Sequence, residues 1–249
     1  MKVCLAGTYA ITNKNKHIIR DSKYVLESFY YIQDWQLPYI KEFDLFLLDS
    51  GAFTFMNNIK DKTNVNFDDY LTQYINFINK NDIKYFFELD IDVVVGYEKV
   101  KELRRRLERE TGKKCIPVWH RERGKEDFIK MCQEYDYVAI GGLVGQGYSQ
   151  KHWKYFPWFI DTAHKYGAKI HALGFTSVKG LKKYKFDSVD STSWKSGNRF
   201  GTLHVFKNDT LVQVKKRDGY RLKSGDYYSK IEKFNFDEWV KYQKYMSTQ

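Results

Sequence analysis

Short apolar runs that end in a polar residue or a glycine recur along the chain, each followed by an amphipathic stretch. This alternation is the sequence sign of β-α units around a parallel sheet. Strands are read at Val3 to Ala6, Leu45 to Asp49, Tyr85 to Asp90, Ile116 to His120, Tyr137 to Ile140, Ile170 to Leu173 and Ser188 to Asp190. Helices are read at Phe67 to Asn79, Tyr97 to Thr111, Lys125 to Glu134, Trp153 to Tyr166 and Ser177 to Lys183. Seven strands with crossovers in 249 residues fit one (β/α)8 TIM-type barrel, a single domain over residues 1–249, better than two domains. In the last third, Thr202 to Lys207 and Thr210 to Lys216 flank Asn208-Asp209, a turn-like pair, which predicts a basic β-hairpin. Helical spacing of apolar residues over Phe236 to Tyr245 predicts a terminal helix that closes the barrel.

Composition excludes several classes. Hydrophobic residues make up 43% and there are only 3 prolines, so a disordered chain is ruled out. No apolar run reaches the roughly 18 residues of a membrane span, and MKVCLAGTYAITNKNKH turns polar too soon for a signal peptide. A soluble, cytoplasmic protein without a membrane partner is expected. Cys4, Cys115 and Cys132 are far apart, with no CxxC pair, which argues against a disulfide framework and a structural zinc site. Neither a metal nor a cofactor is expected. A net charge of +11 makes a polyanion the expected partner, and 20 tyrosines, 18 phenylalanines and 6 tryptophans offer faces for unstacked bases. Against this, lysine and tyrosine abundance can follow from nucleotide bias in the coding genome, and most aromatics belong in the core.

Four segments put polar residues or glycines at the carboxyl ends of strands, the face where barrel enzymes build their sites. In LLDSGAF, residues 47–53, Asp49 ends a strand and Gly51 permits a tight turn, although Asp-Ser-Gly is also ordinary turn chemistry. In FFELDID, residues 86–92, a period of 2 puts Glu88, Asp90 and Asp92 on one face. Three carboxylates there repel one another, so at least one should meet solvent or a ligand donor. A carboxylate suits the N1–H and 2-amino donors of a guanine-like base; helix capping is the alternative. In AIGGLVGQG, residues 139–147, Gly141 and Gly142 let a flat ligand approach the backbone, while the spacing fits neither GxGxxG nor a P-loop. KIHALGF and FDSVDSTSWKSGNR, within residues 169–199, set Asp187 and Asp190 about the last strand, followed by Lys195 and Arg199. An aspartate there can be a covalent nucleophile, with the basic residues holding phosphates.

In this order the segments resemble the tRNA-guanine transglycosylase superfamily, which exchanges guanine in nucleic acid for a 7-deazaguanine. DSGAF resembles the family's DSGGF or DSGGY, LDI at 89–91 resembles LDIPT or FDECT, and AIGGL resembles AIGGL. HALG followed by VDSTSWKSGNRFG resembles LMGVG followed by FDCVLPTRSGRNG, and the likeness runs from about residue 43 to about 225. The resemblance implies that Asp190 is the nucleophile, that Asp49 is the acid/base and that Asp90 reads the purine edge, with Asp92 left as the alternative reader. It implies that Phe53 and Leu173 sandwich the base while the backbone at Gly141, Gly142, Leu143 and Gly174 touches it. Two features depart from the family. Val118, Trp119 and His120 stand where the tRNA enzymes have VQG, so His120 is either a reader of a base carbonyl or a structural histidine. The C-terminal Cys and His zinc subdomain has no counterpart.

The expectation is therefore a base-exchanging transglycosylase acting through a covalent aspartyl-sugar intermediate, with a 7-deazaguanine as small-molecule substrate. DNA is favoured as the polymer because the resemblance is to shortened DNA-modifying enzymes, and tRNA is the runner-up. A base-removing hydrolase and a non-catalytic nucleic-acid-binding barrel are the other classes. The polymer is expected along Lys195, Arg199, Lys215, Lys216 and Arg217, and a homodimer is compatible with the sequence.

Overall fold

The computed structural model describes residues 1–52, 54–55, 66–142, 150–197, 201–215 and 225–249. Seven parallel strands form one sheet: β1 (Lys2–Ala6), β2 (Tyr24–Ser28), β3 (Leu45–Asp49), β4 (Val118–Trp119), β5 (Tyr137–Ile140), β6 (Lys169–Ala172) and β7 (Ser188–Ser191). Their order is β3-β2-β1-β7-β6-β5-β4, so the first and last strands pair at the centre. The sheet curls into a half-barrel, and the two-residue period sorts its side chains. Cys4, Ala6, Leu26, Leu47, Phe87, Val118 and Ala139 pack together on the concave side. The alternate residues Val3, Leu5, Val138, Ile140, Ile170 and Val189 join a larger cluster on the convex side, against the helices. Each fully buried Val, Leu or Ile contributes about 1.5–3 kcal/mol.

Strand β2 was not among the expected strands, and the stretch expected as a strand at Tyr85 to Asp90 is pared down. Residues 85–88 make one parallel bridge to each edge of the sheet, Leu48 with Phe86 and Phe87 with Ile116. The Phe87 amide donates to Leu48 O at 2.9 Å and the Ile116 amide to Phe86 O at 2.8 Å. After Glu88 the chain leaves the sheet and enters a one-turn helix, α2 (Asp92–Val95), so Asp90 and Asp92 do not continue a strand face. The strand expected at Ile116 to His120 is likewise short.

The helices among the described residues include α1 (Phe67–Lys80), α2 (Asp92–Val95), α3 (Tyr97–Thr111), α4 (Gly124–Glu134), α5 (Phe156–Lys165), α6 (Val178–Lys183) and α7 (Gly225–Ser247). In α1 the Asn66 side chain caps the Asp69 amide at 3.0 Å, and Phe67, Tyr70, Leu71, Tyr74 and Ile78 face inward at helical spacing. The Tyr74 hydroxyl reaches both Leu48 O (3.0 Å) and Phe87 O (3.1 Å), tying α1 to the sheet edge and to residues 85–88. The helix expected from Trp153 opens as a 3-10 segment, Gln150–Tyr155, and becomes α-helical at Phe156, with Pro157 in its first turn.

Strands β8 (Thr202–Lys207) and β9 (Thr210–Lys215) pair antiparallel across Asn208 and Asp209, both left-handed at φ 51° and 59°. Helix α7 is 23 residues long, against the ten expected, and polar contacts fix it. Asn235 and Glu238 accept the His204 and Phe206 amides of β8, while Gln243 donates to Val3 O and Tyr24 O. All three cysteines are buried and free. No helix among the described residues is long and apolar enough to cross a membrane.

Candidate active site

The strand alternation that puts Leu45 and Leu47 on the concave side carries Asp49 there, at the carboxyl end of β3. The same period carries Ile116 and Val118 to His120, Tyr137 and Ala139 to Gly141, and Ser188 to Asp190. A ring of polar groups thus follows the apolar interior toward one end of the sheet.

Asp49 accepts the Gly51 amide at 3.0 Å, and Gly51 is left-handed at φ 66°. A Cβ on Gly51 would stand 2.5 Å from Ser28 Oγ and 2.9 Å from Tyr30 N, so the turn admits no side chain. Burial pushes the Asp49 carboxyl up, the Gly51 amide opposes this, and the charges of Asp90, Asp190 and Glu27 reinforce it; the result is about 7. At neutral pH Asp49 therefore both holds and releases a proton.

Asp190 is buried, and its Oδ1 accepts two bonds, from the Gly174 amide at 2.6 Å and from His171 Nε2 at 3.2 Å. The Gly174 amide, expected against a base, is thus engaged by Asp190. His171 has no exposed surface and continues the network: its Nδ1 lies 2.6 Å from Ser188 Oγ, which meets Tyr137 OH in a short contact. Asp187 is not part of this site. It lies at the opposite end of β7, where its carboxylate accepts the Ile170 amide at 2.8 Å and pairs with His164 at 2.9 Å.

Asp90 pairs with His120, Oδ1 to Nε2 at 2.5 Å. Burial by itself would lower the His120 pKa, but the hydrogen bond and charge of Asp90, with the charge of Asp92, raise it. The purine reader expected at Asp90 is therefore half of an acid-imidazole pair, lying over Gly141. A Cβ on Gly141 would fall 2.6 Å from His120 Cε1 and 2.8 Å from Val118 Cγ1.

The expected cluster of three repelling carboxylates does not arise. Glu88 is fully buried and salt-bridged to Arg104 of α3 at 2.6 Å and to Arg123 at 3.1 Å, and it also accepts the Val118 amide at 2.8 Å. Arg123 bonds Asp92 at 3.0 Å as well. Asp90, Asp92 and His120 still bring one ligand atom each within 4.8 Å of one another, a cation-sized spacing that the sequence reading did not anticipate. Glu27 of β2 is a further unanticipated carboxylate, 1% exposed and held by Thr8 Oγ1 (2.8 Å), Gln36 Nε2 (3.0 Å) and the Tyr9 amide (2.8 Å).

Leu173 follows β6 and packs against the concave cluster. Gly142 is exposed, with φ 69°. Lys195 ends a 3-10 turn after β7, and its ammonium lies 4.7 Å from the centre of the Tyr9 ring. Lys215 ends β9. Phe53, Leu143, Arg199, Lys216 and Arg217 lie outside the described residues. His171, Ser188 and Tyr137 were missed as functional candidates, although His171 and Ser188 stand two residues before Leu173 and Asp190 on the same strand faces.

A cavity of about 460 Å³ opens at the opposite end of the sheet, among Lys2, Asp44, Lys84, Tyr137, Lys169 and Asp187. A second, of about 540 Å³, lies outside β4 among Trp119, Arg121, Lys125 and Trp158. Neither includes Asp49 or Asp190.

No protein-family model matches the chain, and no curated protein matches it. Among solved structures, one described as QR15, an aldolase, is similar with a TM-score of 0.50 and 11% identity, over 77% of this chain and 89% of that one. At that identity the likeness is one of fold alone, that of a TIM-barrel-like sheet.

Proposed function

We propose that this chain is a base-exchanging transglycosylase that replaces guanine in a polynucleotide, with DNA favoured, by a 7-deazaguanine. The observation that carries the reading is the unequal treatment of two carboxylates on one concave face. Asp49 is held near neutrality, while Asp190 is gripped by an imidazole and a backbone amide. Environments that differ in this way are how a pair of carboxylates divides acid-base from nucleophilic work.

The steps follow from that division. A carboxylate oxygen of Asp190 attacks C1′ of the sugar as the bond from C1′ to the base breaks, leaving an aspartyl-sugar ester. Protonated Asp49 gives its proton to the departing guanine. The incoming 7-deazaguanine then attacks C1′ through its ring nitrogen, returns that nitrogen's proton to Asp49 and releases Asp190. Two displacements restore the starting stereochemistry, as in retaining glycosidases. The target guanine must leave its stack, at a cost of a few kcal/mol that falls in single strands. On this reading residues 85–88, bridged to Leu48 of β3 and to Ile116 just before β4, are the eighth strand of a closed (β/α)8 barrel, which would gather all these groups around one mouth.

The test is to incubate the protein with labelled guanine and duplex DNA, single-stranded DNA or tRNA. Label is expected in DNA, most rapidly in single strands, and Asp190→Ala should abolish it while leaving polymer binding in place. Label in tRNA alone would favour the runner-up polymer. Abasic sites without label would identify a hydrolase, and binding with neither product a non-catalytic barrel.

A further inference from the structure

Both hydrogen bonds that Asp190 accepts fall on the same oxygen. The Gly174 amide and His171 Nε2 reach Oδ1, and among the described residues no bond reaches Oδ2. We infer that His171, oriented by Ser188 and Tyr137, is a positioning residue that locks the Asp190 carboxylate and leaves Oδ2 as the attacking oxygen. This inference rests on the reading of Asp190 as the nucleophile.

The direction of each bond follows from counting protons. An ionised carboxylate only accepts, so His171 Nε2 carries a hydrogen. In a neutral imidazole Nδ1 is then bare and must accept, and Ser188 Oγ, 2.6 Å away, is the donor. Ser188 has a single hydroxyl proton, which is spent on Nδ1, so its oxygen accepts from Tyr137 OH. Burial raises the Tyr137 pKa well above its ordinary value, which keeps that phenol a donor. The chain Tyr137 to Ser188 to His171 to Asp190 thus runs one way, with one proton per link, and selects the Nε2–H tautomer. The imidazole ring is also fixed sterically, edge-on to Phe87 at 5.4 Å. Strands β5, β6 and β7 each supply one or more links, so the curl of the sheet itself sets the geometry.

In the chemical step the lock matters twice. It holds the carboxylate in one rotamer as Oδ2 forms the bond to C1′, and it supplies a donor to Oδ1 when the ester is displaced and the charge returns to Asp190. No proton needs to cross the chain, so the role is orientation and charge stabilisation rather than proton transfer.

The experiment combines imidazole ¹⁵N spectra of the free protein at about pH 8, where an ordinary histidine is neutral, with single-turnover trapping of the ester after denaturation. The His171 resonance, assigned by its loss in His171→Gln, should show the Nε2–H tautomer, and Tyr137→Phe should shift it. His171→Leu should slow ester formation about tenfold to a hundredfold, the effect of losing one hydrogen bond to a charged group, with polymer affinity unchanged. His171→Gln, whose amide can still donate to Oδ1, should recover most of that rate. An Nδ1–H signal with Nε2 bare, or an unslowed His171→Leu, would overturn the role of His171 while leaving Asp190 the nucleophile; an imidazolium signal would overturn the direction of the Ser188 and Tyr137 links that orient it. Absence of any trapped ester in the wild type would overturn the reading of Asp190 itself, and the positioning role with it, whatever the spectra show.

Discussion

Replacing Asp49 by asparagine should stabilise the protein at alkaline pH while abolishing base exchange. The carboxyl rises from an ordinary value of 3.8 to about 7 in the folded chain, first through burial and then through the charges of Asp90, Asp190 and Glu27. The sign follows from proton binding. Below about pH 4 both folded and unfolded chains hold the proton, and the group costs nothing. Between there and about pH 7 the folded chain alone holds it, so stability falls as pH rises. Above about pH 8 both states have lost it, and the full penalty of a buried, repelled charge remains. About three pH units at roughly 1.4 kcal/mol each put that penalty near 4 kcal/mol. Asparagine resembles the protonated acid and can still accept the Gly51 amide, so it escapes the penalty. Urea denaturation of both proteins between about pH 5 and pH 9 is the assay, because other titrations cancel in the difference. The stability gap should widen from about pH 5 to about pH 7 and level off above about pH 8. A gap that stays flat across this range would show that Asp49 ionises at an ordinary pH and would remove the basis for its acid-base role.

Gly141→Ala should drive His120 away from Asp90, since the new methyl would meet the ring at 2.6 Å and Val118 at 2.8 Å. The raised His120 pKa should fall back toward its ordinary value in an NMR titration, with about 1–3 kcal/mol of stability lost to overpacking; an unaltered titration would show that the ring accommodates the methyl elsewhere. Chelators should leave exchange unchanged, although Asp90, Asp92 and His120 could bridge a cation, because Arg123 at 3.0 Å already neutralises Asp92 and His120 already pairs with Asp90. Loss of activity in EDTA that magnesium or manganese restores would instead assign a cation to that cluster.

What could be read from the sequence is what periodicity controls. β1, β3, β5, β6 and β7 fall within a residue or so of their expected limits; β1, β3 and β5 are mostly apolar runs, and β6 and β7 keep an apolar residue between polar ones on the two-residue period. β2 escaped because YVLES carries Glu27, whose burial depends on Thr8 and Gln36, donors that no local pattern links to it. The first half of α7 escaped for a similar reason: its buried face includes Glu232 and Asn235, which are satisfied by Thr12 and by the backbone of the hairpin. Among the site groups, Asp49, Asp90, His120, Gly141 and Asp190 could be named from strand ends, but which group pairs with which could not. Arg104 reaches Glu88 across 16 positions and His171 reaches Asp190 across 19, so the pairing exists only once the sheet has curled.

Those partners sort the acids by what each can do. Glu88 carries two arginines, Asp92 one and Asp90 a histidine, so each of these three has a basic partner. Glu27 is wrapped by neutral donors and ties β2 to the Thr8–Ala10 turn after β1 and to the Asp34–Glu42 segment. Two carboxylates remain. The Asp49 pKa is raised to about 7 first by burial and then by three negative neighbours, with only the Gly51 amide among the described residues to oppose them. Asp190 has an amide and an oriented imidazole on one oxygen, which spreads its charge without neutralising it and leaves the other oxygen open. A proton donor and an anionic nucleophile are what a double displacement at C1′ requires. On the proposed reading, therefore, the salt bridges at Glu88 and Asp92 serve the chemistry indirectly, by giving those carboxylates partners of their own and leaving Asp49 and Asp190 as the two acids on the concave face.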